Sequence, residues 1–209
     1  MGLEDVEALR KFCLELSSDM PSPGGGTAAA AAGGMAASLL AMVCAITAKN
    51  KKHEARKPEL EMLQASLVAL RDDLISHARE DADSYDKVVL ASRARRADEN
   101  PKTVDDLQSA LRHAASVPLE TASACVDVLE KSALVAELGT PSASSDVGVA
   151  VLLAEAGFKG AAMNVNINLA SISDASFARH AREKLKKDER RANDHVRDAL
   201  SRLTGIGGN

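Results

Sequence analysis

The chain has 209 residues, with 26 Lys and Arg against 30 Asp and Glu, for a formal charge of −4. That length supports one domain with a sizeable core. The acidic balance, the absence of Trp, a single Tyr and only three Phe argue against a nucleic-acid binder, which needs a basic surface or aromatic stacking platforms.

Met1 to Ser18 mixes charges with apolar residues at helical spacing. It reads as a first helix over Leu3–Ser18 and not as a signal peptide. From Pro21 to Ala48 the chain carries no charge. Pro21-Ser22-Pro23-Gly24-Gly25-Gly26 leads into a run of Ala, Gly, Met and Leu that closes at Lys49-Asn50-Lys51-Lys52. The glycines free the backbone to turn and to approach something closely. The small side chains let a helix or a ligand come near the axis. The run is long enough to span a bilayer. Its strong contributors (Leu39, Leu40, Met42, Val43, Ile46) sit only in its second half, however, and no aromatic belt flanks it. A buried core helix ending near Lys49 is the reading adopted, with no membrane partner.

A third helix is expected from about Glu54, with Pro58 tolerated in its first turn. Leu60, Leu63, Leu67, Leu70 and Leu74 form its apolar stripe, and it runs through Tyr85 toward Leu90. Ser92–Lys102, Arg-rich and closed by Pro101, reads as a charged loop. Thr103 is expected to cap a fourth helix with Asp106 at N3. That helix runs to about Leu138, is kinked by Pro118 and is stopped by Gly139. Thr140-Pro141 then opens a fifth helix over Ser142–Leu169. Ser173 caps a sixth, with Phe177, Leu185 and Val196 on its stripe and Gly205 at its end. The expected fold class is all-α: residues 1–209 as a single domain, a helical bundle of about six helices around two central small-residue helices, the second and the fifth.

Cys13, Cys44 and Cys125 are odd in number and far apart. They fit neither a disulfide framework nor a zinc site, and read as reduced thiols of a cytoplasmic protein packed in its core. His77 and Glu80 share a face, but the Glu/Asp-x-x-His pairs of a di-metal bundle are too weakly represented to expect a metal. His53, His113, His180 and His195 stand in polar surroundings and are expected to be solvated.

Among the carboxylates Glu80, Asp81, Asp83 and Asp86, the extrapolated leucine stripe passes near Asp81 and Tyr85. Asp81 would face inward, with Asp83 and Asp86 in solvent. An inward carboxylate suits general acid–base work, although a salt-bridged surface acid fits the same pattern. Asn164 and Asn168 share one face of the fifth helix and Asn166 points elsewhere. Buried amides need partners, so the pair either bridges helices or reads a polar heterocycle. Ser144, Ser145 and Asp146 suit a helix N-terminus. Lys49, Lys51 and Lys52 suit a helix C-terminus or an anionic ligand.

Six motifs in order carry a resemblance that covers nearly the whole chain: Pro21-Ser22-Pro23-Gly24-Gly25-Gly26-Thr27-Ala28-Ala29, Lys51-Lys52-His53-Glu54, Glu80-Asp81-Ala82-Asp83-Ser84-Tyr85, Val117-Pro118-Leu119, Ser145-Asp146-Val147-Gly148-Val149-Ala150 and Asn164-Val165-Asn166-Ile167-Asn168. The succession resembles the formiminotetrahydrofolate cyclodeaminase/methenyltetrahydrofolate cyclohydrolase family. Asn50, His53 and Tyr85 depart from it: the family usually has a small residue, an aromatic residue and Phe at these places.

The resemblance implies an all-helical homodimer that holds a folate near the glycine turn and the dimer interface, with no cofactor and no metal. The matching catalytic residue is Asp81. Ser22, Gly24, Gly25, Gly26, Lys51, Lys52, Tyr85, Asp146, Asn164 and Asn168 would bind substrate. The implied reaction is hydrolysis of 5,10-methenyltetrahydrofolate to the 10-formyl form, with formiminotetrahydrofolate cyclodeamination as the alternative. A non-catalytic helical dimerisation module is a second alternative.

Overall fold

The structure, a computed structural model, describes residues 3–204; Gly205, the expected end of the last helix, lies outside them. Six helices follow one another: α1 (Leu3–Leu16), α2 (Gly25–Ala48), α3 (Lys57–Ala97), α4 (Pro101–Leu138), α5 (Ser144–Leu169) and α6 (Ala175–Thr204). Short 3-10 turns cover Lys51–Arg56 and Pro141–Ala143. The described residues contain no strand, as expected for an all-α chain.

α2 is the central element. It packs on α3, α5 and α4, and α4 in turn holds α5, α3 and α6. α2 alone among the described helices is long and apolar enough to cross a membrane. Within the fold its Leu40, Val43 and Cys44 are fully buried. Its glycines sit where neighbours come close. A methyl group at Gly33 would meet Cys125 Sγ at 2.7 Å and Leu74 Cδ2 at 3.1 Å; one at Gly157 would meet the Ala29 carbonyl at 2.8 Å and Cys125 Sγ at 2.9 Å. No described glycine has a positive φ. Gly24 is an extended helix N-cap, and the Ser22–Pro23 peptide is cis.

The contacts give the register. Gly25 lies by Asn164, Gly33 and Ala29 by Gly157, and Ala29 by Gly160, so α2 and α5 run antiparallel. Gly26 lies by Asp81 and Gly33 by Leu74, so α2 and α3 are antiparallel as well. The N-terminus of α2, the middle of α3 and the C-terminus of α5 thus share one end of the bundle. The far end is tied by Thr140 N–H, which donates to Thr47 Oγ1 at 3.0 Å.

Several boundaries differ from those expected. α3 does not stop near Leu90 but reaches Ala97. Residues 91–97 hold only Ala, Ser and Arg, and Ala and Arg are strong helix formers, so the Arg-rich stretch is helix and not loop. The cap of α4 is Asn100, not Thr103. Asn100 Oδ1 accepts from Thr103 N–H at 3.0 Å and Thr103 Oγ1 accepts from Asn100 N–H at 3.1 Å, a reciprocal box with Pro101 inside the first turn. Asp106 pairs with Lys102 instead. Thr140 makes no side-chain cap, and Pro141 opens a 3-10 turn before α5. Ser173 does not cap α6. Asp174 Oδ1 accepts from Ser176 and Phe177 N–H, both at 3.0 Å, while Ser173 N–H and Oγ donate to Gln108 Oε1. α1 ends at Leu16, short of Ser18.

The close crossing generates a prediction. Gly157→Ala pushes a methyl group into backbone and sulfur, and should destabilise the protein by about 1–3 kcal/mol, as overpacking does. Gly148→Ala on the same helix meets only Leu203 Cδ1 at 3.6 Å, and should stabilise by roughly 0.5–1 kcal/mol. Thermal melts of the two variants beside the parent check both signs.

Candidate active site

At the shared end of the bundle a cleft opens between α2, α3, α4 and α5. Ser22, Gly24, Gly25 and Gly26 form one rim, Asp81, Ser84 and Tyr85 the α3 wall, Ala114 the α4 wall, and Asn164 and Asn168 the α5 wall. Asp81 is the one carboxylate in this lining and no Lys, Arg or His joins it.

Asp81 is held against the first turn of α2. Thr27 Oγ1 donates to Asp81 Oδ2 at 3.0 Å. A methyl group at Gly26 would come within 2.6 Å of Asp81 Cγ, so only glycine leaves room for the carboxylate. The side chain is partly withdrawn from solvent, and burial raises its pKa above the ordinary carboxylate value against the lowering effect of hydrogen bonds from the Thr27 hydroxyl and backbone N–H. The result is a carboxylate at a helix N-terminus that accepts a proton more readily than a surface Asp. Asp83 and Asp86, about 160° and 140° around α3 from Asp81 at 3.6 residues per turn, are exposed, as the leucine stripe implied. Ser84 is buried and its Oγ donates to the Asp81 backbone carbonyl at 2.8 Å.

The two asparagines of α5 converge on the same cleft. Asn164 Nδ2 donates to the Gly160 carbonyl at 2.9 Å, and Asn168 Nδ2 donates to the Ala114 carbonyl of α4 at 2.6 Å. Asn166 points instead toward a separate hollow between α5 and α6, with Lys159 and Glu189.

The remaining sequence candidates lie elsewhere. Lys51 and Lys52 are exposed in the 3-10 turn beyond the C-terminus of α2. The 24 residues of that helix set them about 36 Å from the glycine turn at 1.5 Å per residue. Asp146 stands in the first turn of α5, about 27 Å along the axis from Asn164. All three therefore sit at the far end of the same chain. Thr27 was missed as a site residue. Its signal was a hydroxyl in the first turn after the glycines, but only the packing of α3 on α2 shows which carboxylate it meets.

The other reactive groups are placed outside the cleft. Burial pushes the Cys44 and Cys125 thiols up to about 11 and about 12, which keeps them protonated and poorly nucleophilic. Cys13 is exposed, unlike the core thiol expected. His113 is not simply solvated: its Nε2 lies 3.5 Å from Glu80 Oε1 between α3 and α4. Among the described residues no group of three or more His, Cys, Asp or Glu side chains is arranged to hold a metal ion.

The sequence pattern of the formiminotransferase-cyclodeaminase family matches residues 8–187. A methenyltetrahydrofolate cyclohydrolase of Methylorubrum extorquens is 36% identical over 191 residues, covering 88% of each chain. A formimidoyltransferase-cyclodeaminase of Sus scrofa is 28% identical over 93% of this chain, but that match spans only 36% of the longer protein. The crystal structure of a formiminotetrahydrofolate cyclodeaminase from Thermotoga maritima superposes with a TM-score of 0.86 at 31% identity, over 95% of this chain and 96% of that one. Sequence and fold agree over almost the whole length: the chain belongs to the formiminotransferase-cyclodeaminase family.

Proposed function

We propose that the protein hydrolyses 5,10-methenyltetrahydrofolate to 10-formyltetrahydrofolate, with Asp81 as its acid–base group. The observation that carries this is the composition of the cleft. Its lining holds one partly desolvated carboxylate and amide groups, and no cationic side chain. The methenyl bridge is an amidinium cation, and an anionic, acceptor-rich cleft is complementary to it. The likeness over 88% of each chain to a methenyltetrahydrofolate cyclohydrolase supports the same substrate.

The chemistry follows from the raised basicity of Asp81. Its carboxylate takes a proton from a water molecule as the oxygen bonds to the bridge carbon, giving a neutral tetrahedral adduct. The carboxylic acid then returns that proton to N5 as the carbon–N5 bond breaks. The adduct hydroxyl loses its proton to solvent as the formyl carbonyl forms on N10. The sum is methenyl cation plus water giving 10-formyl product plus one proton. Thr27 and Gly26 hold the carboxylate where it can serve both transfers, and the amides of Asn164 and Asn168 orient the ring system. Ser22, Gly24 and Gly25 bring backbone close to the ligand, and the Tyr85 hydroxyl adds a polar group at the edge.

The fold likeness to a cyclodeaminase favours a second reading of the same site. There N10 attacks the formimino carbon, ammonia leaves and the methenyl bridge forms, with Asp81 again moving the protons. The relatives named for catalysis leave the non-catalytic dimerisation module without support. A side-by-side assay separates the two reactions: decay of the near-UV absorbance of methenyltetrahydrofolate against its appearance from the formimino substrate. The larger kcat/KM is expected for hydrolysis, and a larger value for cyclodeamination would reverse the assignment.

The active unit we propose is a homodimer in the cytoplasm. Met35, Met42 and Ile46 share one exposed face of α2, and Val149, Leu152, Met163 and Ile167 one exposed face of α5; Ile167 is 70% exposed. Such apolar stripes suit an isologous partner. A two-fold axis across these helices runs them antiparallel to their copies. It would carry Lys51, Lys52 and Asp146 of one copy toward the cleft of the other, where the lysines could receive the anionic glutamate tail. Sedimentation should give twice the 21.9 kDa chain mass. Met42→Asp should shift it to a monomer and raise KM for polyglutamyl folate more than for the monoglutamate.

Asp81→Asn should lower kcat by about 10²–10⁴-fold, the usual contribution of a general acid–base group. The linkage sign is definite. Because the folded pKa is raised, the folded state binds more protons than the unfolded chain between the two pKa values, and stability falls as pH rises through that window. The wild type carries this penalty at neutral pH and Asn does not. Asp81→Asn should therefore melt at or above the wild type at pH 7, with the gap closing below the carboxylate range. Activity of the wild type should fall in acid along a limb set above an ordinary carboxylate.

A further inference from the structure

A backbone carbonyl only accepts hydrogen bonds. Asn164 faces the Gly160 carbonyl and Asn168 the Ala114 carbonyl, each through Nδ2. One N–H of each amide is thereby spent on the backbone, and neither amide oxygen takes a hydrogen bond from the described residues, so each oxygen can accept from a ligand. The Ala114 carbonyl is open to Asn168 for a covalent reason four residues further along α4. In an α-helix that carbonyl accepts from the N–H of residue 118. Residue 118 is proline, buried inside the helix, and has no N–H. Asn168 supplies the missing donor from α5, at 2.6 Å.

We propose that Pro118 is a positioning residue for substrate: by withholding a donor from Ala114 it reserves that carbonyl for Asn168 and sets the Asn168 amide with its oxygen toward the ligand. With Asn164 and Asp81 this gives the inner wall three side chains that present acceptor oxygens. Ser84 does not offset it, since its hydroxyl donates to the Asp81 carbonyl. Such a wall takes a ligand edge built of adjacent N–H donors, as the aminopyrimidine edge of a reduced pterin is. The choice of ligand rests on the folate reading above; the role of Pro118 toward Asn168 rests on the hydrogen bonds alone.

Pro118→Ala tests it, since alanine restores the N–H and lets residue 118 compete for Ala114. The first readout uses no substrate. In ¹⁵N-labelled protein the Asn168 side-chain amide resonance, assigned by its loss in Asn168→Ala, should move upfield in Pro118→Ala. An unmoved resonance overturns the proposal. The second readout is KM for methenyltetrahydrofolate, expected to rise about fivefold in Pro118→Ala, the size of one neutral hydrogen bond, with kcat changed less. The double variant Pro118→Ala/Asn168→Ala should be no worse than Asn168→Ala. Losses that add instead mark a merely structural proline and overturn the proposal. Absence of turnover in the wild type would sink the folate reading and leave the resonance to decide the role of Pro118.

Discussion

The structure depends on how closely other helices approach the side-chain-poor faces of α2. Gly33 and Gly157 bring α2 and α5 together over Cys125, and Gly26 admits the Asp81 carboxylate against the first turn of α2. Where a side chain is absent, the gap to the next helix shrinks and dispersion contacts gain. The same absence of a Cβ serves two parts of one helix differently. In its middle it builds the core; at its N-terminus it makes a berth for a carboxylate.

That berth sets the proton affinity on which the proposed chemistry rests. A carboxylate in solvent is a weak base, and a fully buried one without a partner is protonated. Asp81 lies between these limits. Desolvation pushes its proton affinity up, while the Thr27 hydroxyl and backbone N–H keep the charged form accessible. Around it the lining supplies amides and backbone and no competing cation. A cationic, already electrophilic substrate needs little more than a positioned water and one group that can take and return a proton.

Much of this was legible in the chain because it rests on local rules. The leucines at helical spacing placed Asp81 inward and left Asp83 and Asp86 outside, and the same arithmetic paired Asn164 with Asn168. Local rules also misled. The Arg-rich residues after Leu90 looked like a loop because of their charge, whereas helix propensity carries α3 on to Ala97. The start of α4 was displaced because two capping patterns overlap, and the asparagine before the proline prevailed over the threonine after it.

The sequence by itself determined the all-α class and which of the α3 carboxylates turns inward, since helical periodicity and composition act over a few residues at a time. Tertiary structure decided which groups meet. Thr27 reaches Asp81 across 54 residues and Asn168 reaches Ala114 across another 54, and no spacing rule spans such distances. It also separated Lys51, Lys52 and Asp146 from the cleft, because a rigid helix keeps its two ends a full helix length apart. Motifs that follow one another in sequence therefore fall at opposite ends of the same bundle.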